Sequence, residues 1–235
     1  MQYKTLIKKL NLKEDDFAAM KSAIEQAENK TDGEIAVAIT AESGRYAFWE
    51  LLASNIFAAI ITCIMIPFSA KIKNLYDYLY WNHTPLWIVP ACFVISFLVA
   101  IVIGYYILNI PAIDRLIIPK RIKKIKVTHR AFRYFTESGI YKTENHSGIL
   151  IFISYLERQV RIVADEGISS KISLDLWNLI ADELAEEIKK GNTVGAITNA
   201  INKCGELLAE HYPSTKAKSD VLSNEVVILE DELCD

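Results

Sequence analysis

Two short acidic stretches carry most of the chemistry this sequence can offer. Asp32 and Glu34 stand two residues apart in KTDGEI, and Asp165 is followed at once by Glu166 and Gly167. Hard cations take oxygen ligands: calcium wants several, and magnesium takes one or two carboxylates with water or a substrate phosphate completing the shell. Asp32, Glu34, Asp165 and Glu166 are therefore the candidate ligands for Ca2+ or Mg2+, and Gly167 permits the tight loop such a site needs. Carboxylates brought together without a cation repel, which raises the pKa of one of them. A metal, or a basic side chain such as Lys171, is expected wherever they converge. The alternative is that these are solvated carboxylates that cap loops and helix starts.

Other reaction centres are not legible. Metal-assisted phosphate-ester hydrolysis needs a nucleophile or an activated water, yet the chain has no DxD pattern, no C-x5-R loop and no P-loop. His83, His129, His146 and His211 are scattered, and Ser147 lacks the G-x-S-x-G frame of a nucleophile elbow. Cys63, Cys92, Cys204 and Cys234 form no CxxC pair, so neither a zinc site nor a disulfide framework is expected. Glu157 and Arg158 read as a solvated turn with a local ion pair. Asp182, Glu183, Glu186 and Glu187 read as the outer face of a helix, or as a docking face for a basic partner.

The basic run RLIIPKRIKKIKVTHR, Arg115 to Arg130, has no acidic residue, although the chain has a net charge of -3. A chain without global basic character is not expected to bind nucleic acid. The run instead follows an apolar stretch. Hydrophobic residues make up 51% of the chain and charged residues 23%, a balance that fits a soluble domain joined to a few membrane spans. About 20 apolar residues cross a bilayer core, and the segments at about 48–68 and 86–110 are long enough. Trp49, Trp81, Trp87, Tyr105 and Tyr106 suit the interfaces. Positive charge after the second span places that side in the cytoplasm. Arg115, Lys120, Arg121, Lys123, Lys124 and Lys126 are then expected to face lipid headgroups. An inner- or plasma-membrane protein with both termini cytoplasmic follows, with membrane lipids and a membrane or cytoplasmic protein as partners.

The elements that must position these groups lie on both sides of the hairpin. Phe17, Met20, Ile24 and Ala27 share a helix face, with Asn11 and Glu14 as a capping box. EIAVAIT is a buried strand. After the hairpin come a helix over Thr128–Glu137, a strand over Gly148–Tyr155, a tight LERQ turn and a returning strand over Val160–Asp165. A loop DEGISSKIS follows, then a helix from Leu174 to Lys190 closed by Gly191, and a last helix from Thr193 to His211. The organisation is 1–47 and 128–213 as the two parts of one domain, 48–113 as the hairpin, 114–127 as the basic juxtamembrane segment and 214–235 as a disordered acidic tail. The fold class is α/β, a three-layer sandwich on a small mixed sheet interrupted by a two-helix transmembrane hairpin. If the Glu34 and Gly148 strands run parallel, Glu34 and Asp165 fall at the same end of the sheet.

AIEQAENKTDGEIAVAI, HSGILIFISYLERQVRIVADEGISSKI and GNTVGAITNAINKCGELLAEHYP together resemble the TPM domain family, whose carrying motifs are the T-x-G-E-I strand start, G-I-L-I with E-R, and V-A-D-x-G-I. The resemblance covers most of the chain outside the hairpin and tail, and implies the α/β fold. It also implies a range of roles: acid phosphatase activity in a plant member, calcium binding, or assembly and repair of membrane complexes. The chain departs from the lumenal plant type in its internal hairpin. The expectation is a membrane-anchored protein whose cytoplasmic α/β domain is a protein- or divalent-cation-binding module in the assembly or maintenance of membrane complexes; the alternative is a metal-dependent phosphatase that uses the acidic sheet edge.

Overall fold

EIAVAIT carries a β-branched side chain at every second position, as GILIFIS does, and each forms a strand. These are β1 (Glu34–Thr40) and β2 (Gly148–Ser154), followed by β3 (Gln159–Ala164) and β4 (Val227–Leu229). In chain order the helices are α1 (Tyr3–Leu10), α2 (Glu14–Glu28), α3 (Ala47–Met65), α4 (Ser69–Tyr80), α5 (Ile88–Leu108), α6 (Pro111–Ile117), α7 (Lys120–Glu137), α8 (Glu166–Ser169), α9 (Leu174–Lys189) and α10 (Thr193–His211). The computed structural model describes residues 3–80, 84–108, 110–143, 146–214 and 224–229. His83, Trp81 and Cys234 lie outside them.

The chain divides into two units, one from Met1–Gly44 with Lys120–Asp235, the other from Arg45–Pro119. The first is built on a four-stranded sheet of order β3-β2-β1-β4. β1 and β2 are parallel, Glu34 opposite Gly148 and Thr40 opposite Ser154. β3 returns antiparallel to β2 through the expected tight turn. Ile35, Val37, Ile39, Ile149, Ile151 and Ile153 point to one face, where α2, α9 and α10 bring Met20, Ile24, Trp177, Leu184, Ile197 and Ile201 into the main core. Ala38, Leu150 and Phe152 point to the other, under Val127, Ala131 and Phe135 of α7. Helices thus cover both faces, and β1 and β2 read as near-continuous apolar runs for that reason. Each fully buried large side chain contributes about 1.5–3 kcal/mol.

Several local expectations change. Asn11 does not start α2; it takes φ 53° and follows α1, a helix that the sequence pattern does not announce. The capping pair sits two residues later, where Lys13 N–H donates to Asp16 Oδ2 at 2.7 Å. The helix expected from Thr128 begins at Lys120 and so takes in most of the basic run. The loop after β3 holds the short helix α8. Gly191 ends α9 in the left-handed conformation, φ 90°, as expected. Residues 215–223 and 230–235 of the tail lie outside the described residues. The part between them is not irregular, since β4 pairs parallel with β1, Ala38 opposite Val227 and Thr40 opposite Leu229. A three-residue strand carries too weak a pattern to be read without its neighbour.

The second unit is the apolar hairpin. α3 and α5 pack together through Ser54, Ala58, Ala100 and Gly104, the buried residues of the two helices. Small residues at the contact let helix backbones approach in the manner of membrane pairs. The connection SAKIKNLYDYLY is helical, and a 3-10 turn at Ile66–Phe68 containing Pro67 joins it to α3.

Cys204 lies on the inner stripe of α10, fully buried, and burial pushes its thiol from 9.0 up to about 12. The unfolded chain therefore releases this proton at lower pH than the folded one. The contribution is fully present below pH 9 and is lost as pH rises towards 12. The melting temperature is expected to fall between about pH 8.5 and about pH 10.5 less steeply in Cys204→Ala than in the parent chain, a difference that thermal melts in paired buffers would read.

Candidate functional site

Parallel pairing brings the first residue of β1 and the first of β2 together, and the antiparallel return brings the end of β3 to the same place. Glu34 is opposite Gly148, and Asp165 N–H donates to Gly148 O at 3.0 Å. Side chains alternate along a strand. Glu34 and Asp165 therefore share the α7 face, one on each side of a residue that has no side chain. They are 2% and 8% exposed. This is the end of the sheet at which the acidic residues were expected to meet.

The set is smaller than expected. Asp32 is half-buried in the approach to β1, its N–H bound to Tyr212 O at 3.1 Å and its carbonyl accepting from Ser147 Oγ at 3.3 Å. Glu166 is exposed in the first turn of α8. Asp165 is the N-cap of that helix, and its Oδ1 accepts from Glu166 N–H at 2.7 Å. A cap satisfies a backbone donor at a helix start, so half of this carboxylate is engaged. Its Oδ2 is buried, accepts no hydrogen bond and lies 3.4 Å from His146 Nδ1. Lys171, the expected countercharge, is elsewhere: its Nζ sits 3.9 Å from the centre of the Tyr212 ring and donates to His211 O at 3.4 Å. Among the described residues no group of three or more His, Cys, Asp or Glu is placed to hold a metal ion. The donor set does not make a calcium cage by itself. Two buried carboxylates, Glu34 and Asp165, are what this end of the sheet offers a cation.

Neighbouring contacts hold this end still. Glu28 Oε1 accepts from Ile35 N–H at 2.8 Å. Thr31 Oγ1 donates to Tyr212 O at 2.6 Å and accepts from Gly33 N–H at 3.1 Å. The end of α10 is thereby tied to the start of β1.

The opposite end of the sheet holds a polar cluster that sequence reasoning does not find. Glu157, expected in solvent, is 5% exposed. Its Oε1 accepts from Ser43 N–H at 2.9 Å, its Oε2 accepts from Ser154 Oγ, and the Ser43 and Ser154 hydroxyls are 2.7 Å apart. The turn also ties back to the end of β1, Leu156 N–H to Ala41 O at 2.9 Å. Buried polar groups are costly unless hydrogen-bonded, and here they satisfy one another. Two small hydroxylated residues at strand ends, with a Glu three after one of them, are the available signal.

The basic run divides by helix face. Lys120, Arg121, Lys124 and Lys126 are exposed and Arg115 is half-buried. Lys123 is only 8% exposed, which corrects its assignment to the lipid-facing set. It falls on the stripe of Val127, Ala131 and Phe135, four residues apart, that turns towards the sheet. The acidic face of α9 is paired with lysines rather than bare: Lys203 Nζ reaches Glu183 Oε1 at 2.7 Å, Lys189 lies 3.3 Å from Glu186 and Lys190 lies 2.6 Å from Glu187.

Comparison with known proteins bears on the fold. Residues 115–207 match a family model described as TPM domain. The NMR structure of BA42 protein from the psychrophilic bacteria Bizionia argentinensis sp. nov. is similar over 92% of this chain and 94% of that one, with a TM-score of 0.53 and 18% sequence identity. At that identity the likeness is one of fold. No curated protein matches the chain.

Proposed function

We propose, from the match of residues 115–207 to the TPM domain model, a membrane-anchored binding module whose α/β unit takes a divalent cation or a partner protein. The observation that carries the anchor is the exposure of the apolar helices. Stretches Ala47–Leu79 and Ile88–Leu108 are long and apolar enough to cross a bilayer, and only 11% of each apolar window is buried by protein. A core helix of a soluble domain would bury far more of such a surface. Lipid supplies the missing cover. Arg115, Lys120, Arg121, Lys124 and Lys126 then meet anionic headgroups of the cytoplasmic leaflet of an inner or plasma membrane, with both termini on that side.

Cation binding rests on Asp165. A buried carboxylate oxygen without a hydrogen bond, beside a second buried acid across Gly148, is stabilised by a hard cation. The full chain in zwitterionic nanodiscs, titrated with Mg2+ and with Ca2+, is expected to melt at a higher temperature in the presence of Mg2+, and Asp165→Asn to lose most of that gain. No response to either ion in a folded preparation would remove the cation and leave protein binding. Cation-dependent hydrolysis of p-nitrophenyl phosphate that vanishes in Asp165→Asn would move the reading to the phosphatase.

A further inference from the structure

At the sheet end opposite the acidic pair, a cleft of about 350 Å3 opens between the end of α1, the β2–β3 turn and the last turns of α9. We propose that it binds a small organic anion with an apolar body, a carboxylate or phosphate held by Arg158. Its volume lies in the range of small-molecule sites. Ile153, Val160 and Ile188 supply apolar wall, and Lys9, Arg158 and Lys189 supply cations. Glu186 is the carboxylate among the lining residues, and it lies 3.3 Å from Lys189. With Lys189 set against Glu186, the cleft keeps the positive charge of Arg158 beside apolar surface, the complement of an amphipathic anion.

Arg158 is the cation at the β2–β3 turn of this cleft. Its guanidinium makes no hydrogen bond or ion pair with the described residues, although it is the donor group best suited to a carboxylate or phosphate. Its backbone is held at φ 51°, a conformation that Gly or Asn adopts with less strain. An arginine kept in such a conformation points from the outlier to a use for the side chain. The buried Glu157 next to it, locked by Ser43 and Ser154, fixes where the turn presents it. Arg158 is also the cation common to this cleft and to a second, of about 360 Å3, between α7 and α9. Of the five left-handed positions among the described residues, Asn11, Arg158 and Gly191 line the first cleft, so three chain reversals meet there.

The test is calorimetric titration of the full chain, in zwitterionic nanodiscs, with 2-naphthyl phosphate. Micromolar to millimolar binding is expected, with Kd raised at least tenfold in Arg158→Asn and within twofold of the parent in Lys142→Gln. The neutral 2-naphthol should bind at least tenfold more weakly. Asparagine tolerates the left-handed backbone, so Arg158→Asn should melt no lower than the parent. If it does melt lower, Lys9→Gln with an unchanged melting temperature becomes the reading variant, and its Kd should rise at least threefold. Equal binding by the parent and the folded reading variant, equal binding of 2-naphthol, or no binding of 2-naphthyl phosphate would each overturn the proposal. Repeating the titration in nanodiscs containing phosphatidylglycerol separates the sources. Loss of binding there identifies a lipid headgroup as the natural occupant, and unchanged binding identifies a free anion.

Discussion

Alanine at Gly148 is expected to destabilise the α/β unit by about 3 kcal/mol. A Cβ built there falls 2.3 Å from the Ile140 carbonyl oxygen and 2.7 Å from Ile140 Cγ2. A side chain could rotate away, but a backbone oxygen cannot. Ile140 opens the 3-10 turn Ile140–Lys142, is itself fully buried, and belongs to the α7 core. β2 cannot retreat either, because it is paired to β1 on one side and β3 on the other. One of the two segments must shift, and Glu34 and Asp165 flank the position. The loss should therefore appear twice, as a lowered urea midpoint for the full chain and as a weakened response to Mg2+. A midpoint equal to that of the parent would show that the turn at Ile140 gives way without cost.

Alanine at Glu157 is expected to cost about 3 kcal/mol by a different route, because it leaves buried donors unsatisfied. The Ser43 N–H and the Ser154 hydroxyl lose their acceptor in a site from which water is excluded. Such donors cost about 1–3 kcal/mol each. Native domains are stable by only about 5–15 kcal/mol, so the variant should unfold at a distinctly lower urea concentration. Glu157→Gln keeps one acceptor oxygen and should lose less than half as much. Equal midpoints for Glu157→Ala and the parent would mean that the turn reopens and water replaces the carboxylate. The same experiment bears on the anion cleft, since a loosened turn should misplace Arg158 and weaken the binding of 2-naphthyl phosphate.

Pattern strength separates the legible elements from the rest. β1 and β2 are readable close to their full spans because a buried strand writes its identity in every residue. The inner face of α9 is readable from Trp177, Ile180 and Leu184 at helical spacing. α1 and β4 escape because eight and three residues carry too little periodicity to stand out. Each takes its conformation from the core it touches. Lys123 is misread because a charge in a basic run looks solvent-facing. The helix that begins at Lys120 rather than Thr128 carries it onto the face turned towards the sheet.

The candidate site follows the same division. Composition and alternation are enough to show that two apolar helices interrupt an α/β unit, and that parallel inner strands would bring Glu34 and Asp165 to one end. They suffice because burial of apolar surface is the dominant force in folding and depends on residue type rather than on direction. Which polar groups are used, and by what, emerges only in three dimensions. Asp165 caps a helix with one oxygen and leaves the other without a hydrogen bond. Lys171 turns to Tyr212. Glu157 is buried between two serines 114 and 3 residues away. Hydrogen bonds are directional and short, so their partners depend on positions in space that no spacing in the chain encodes.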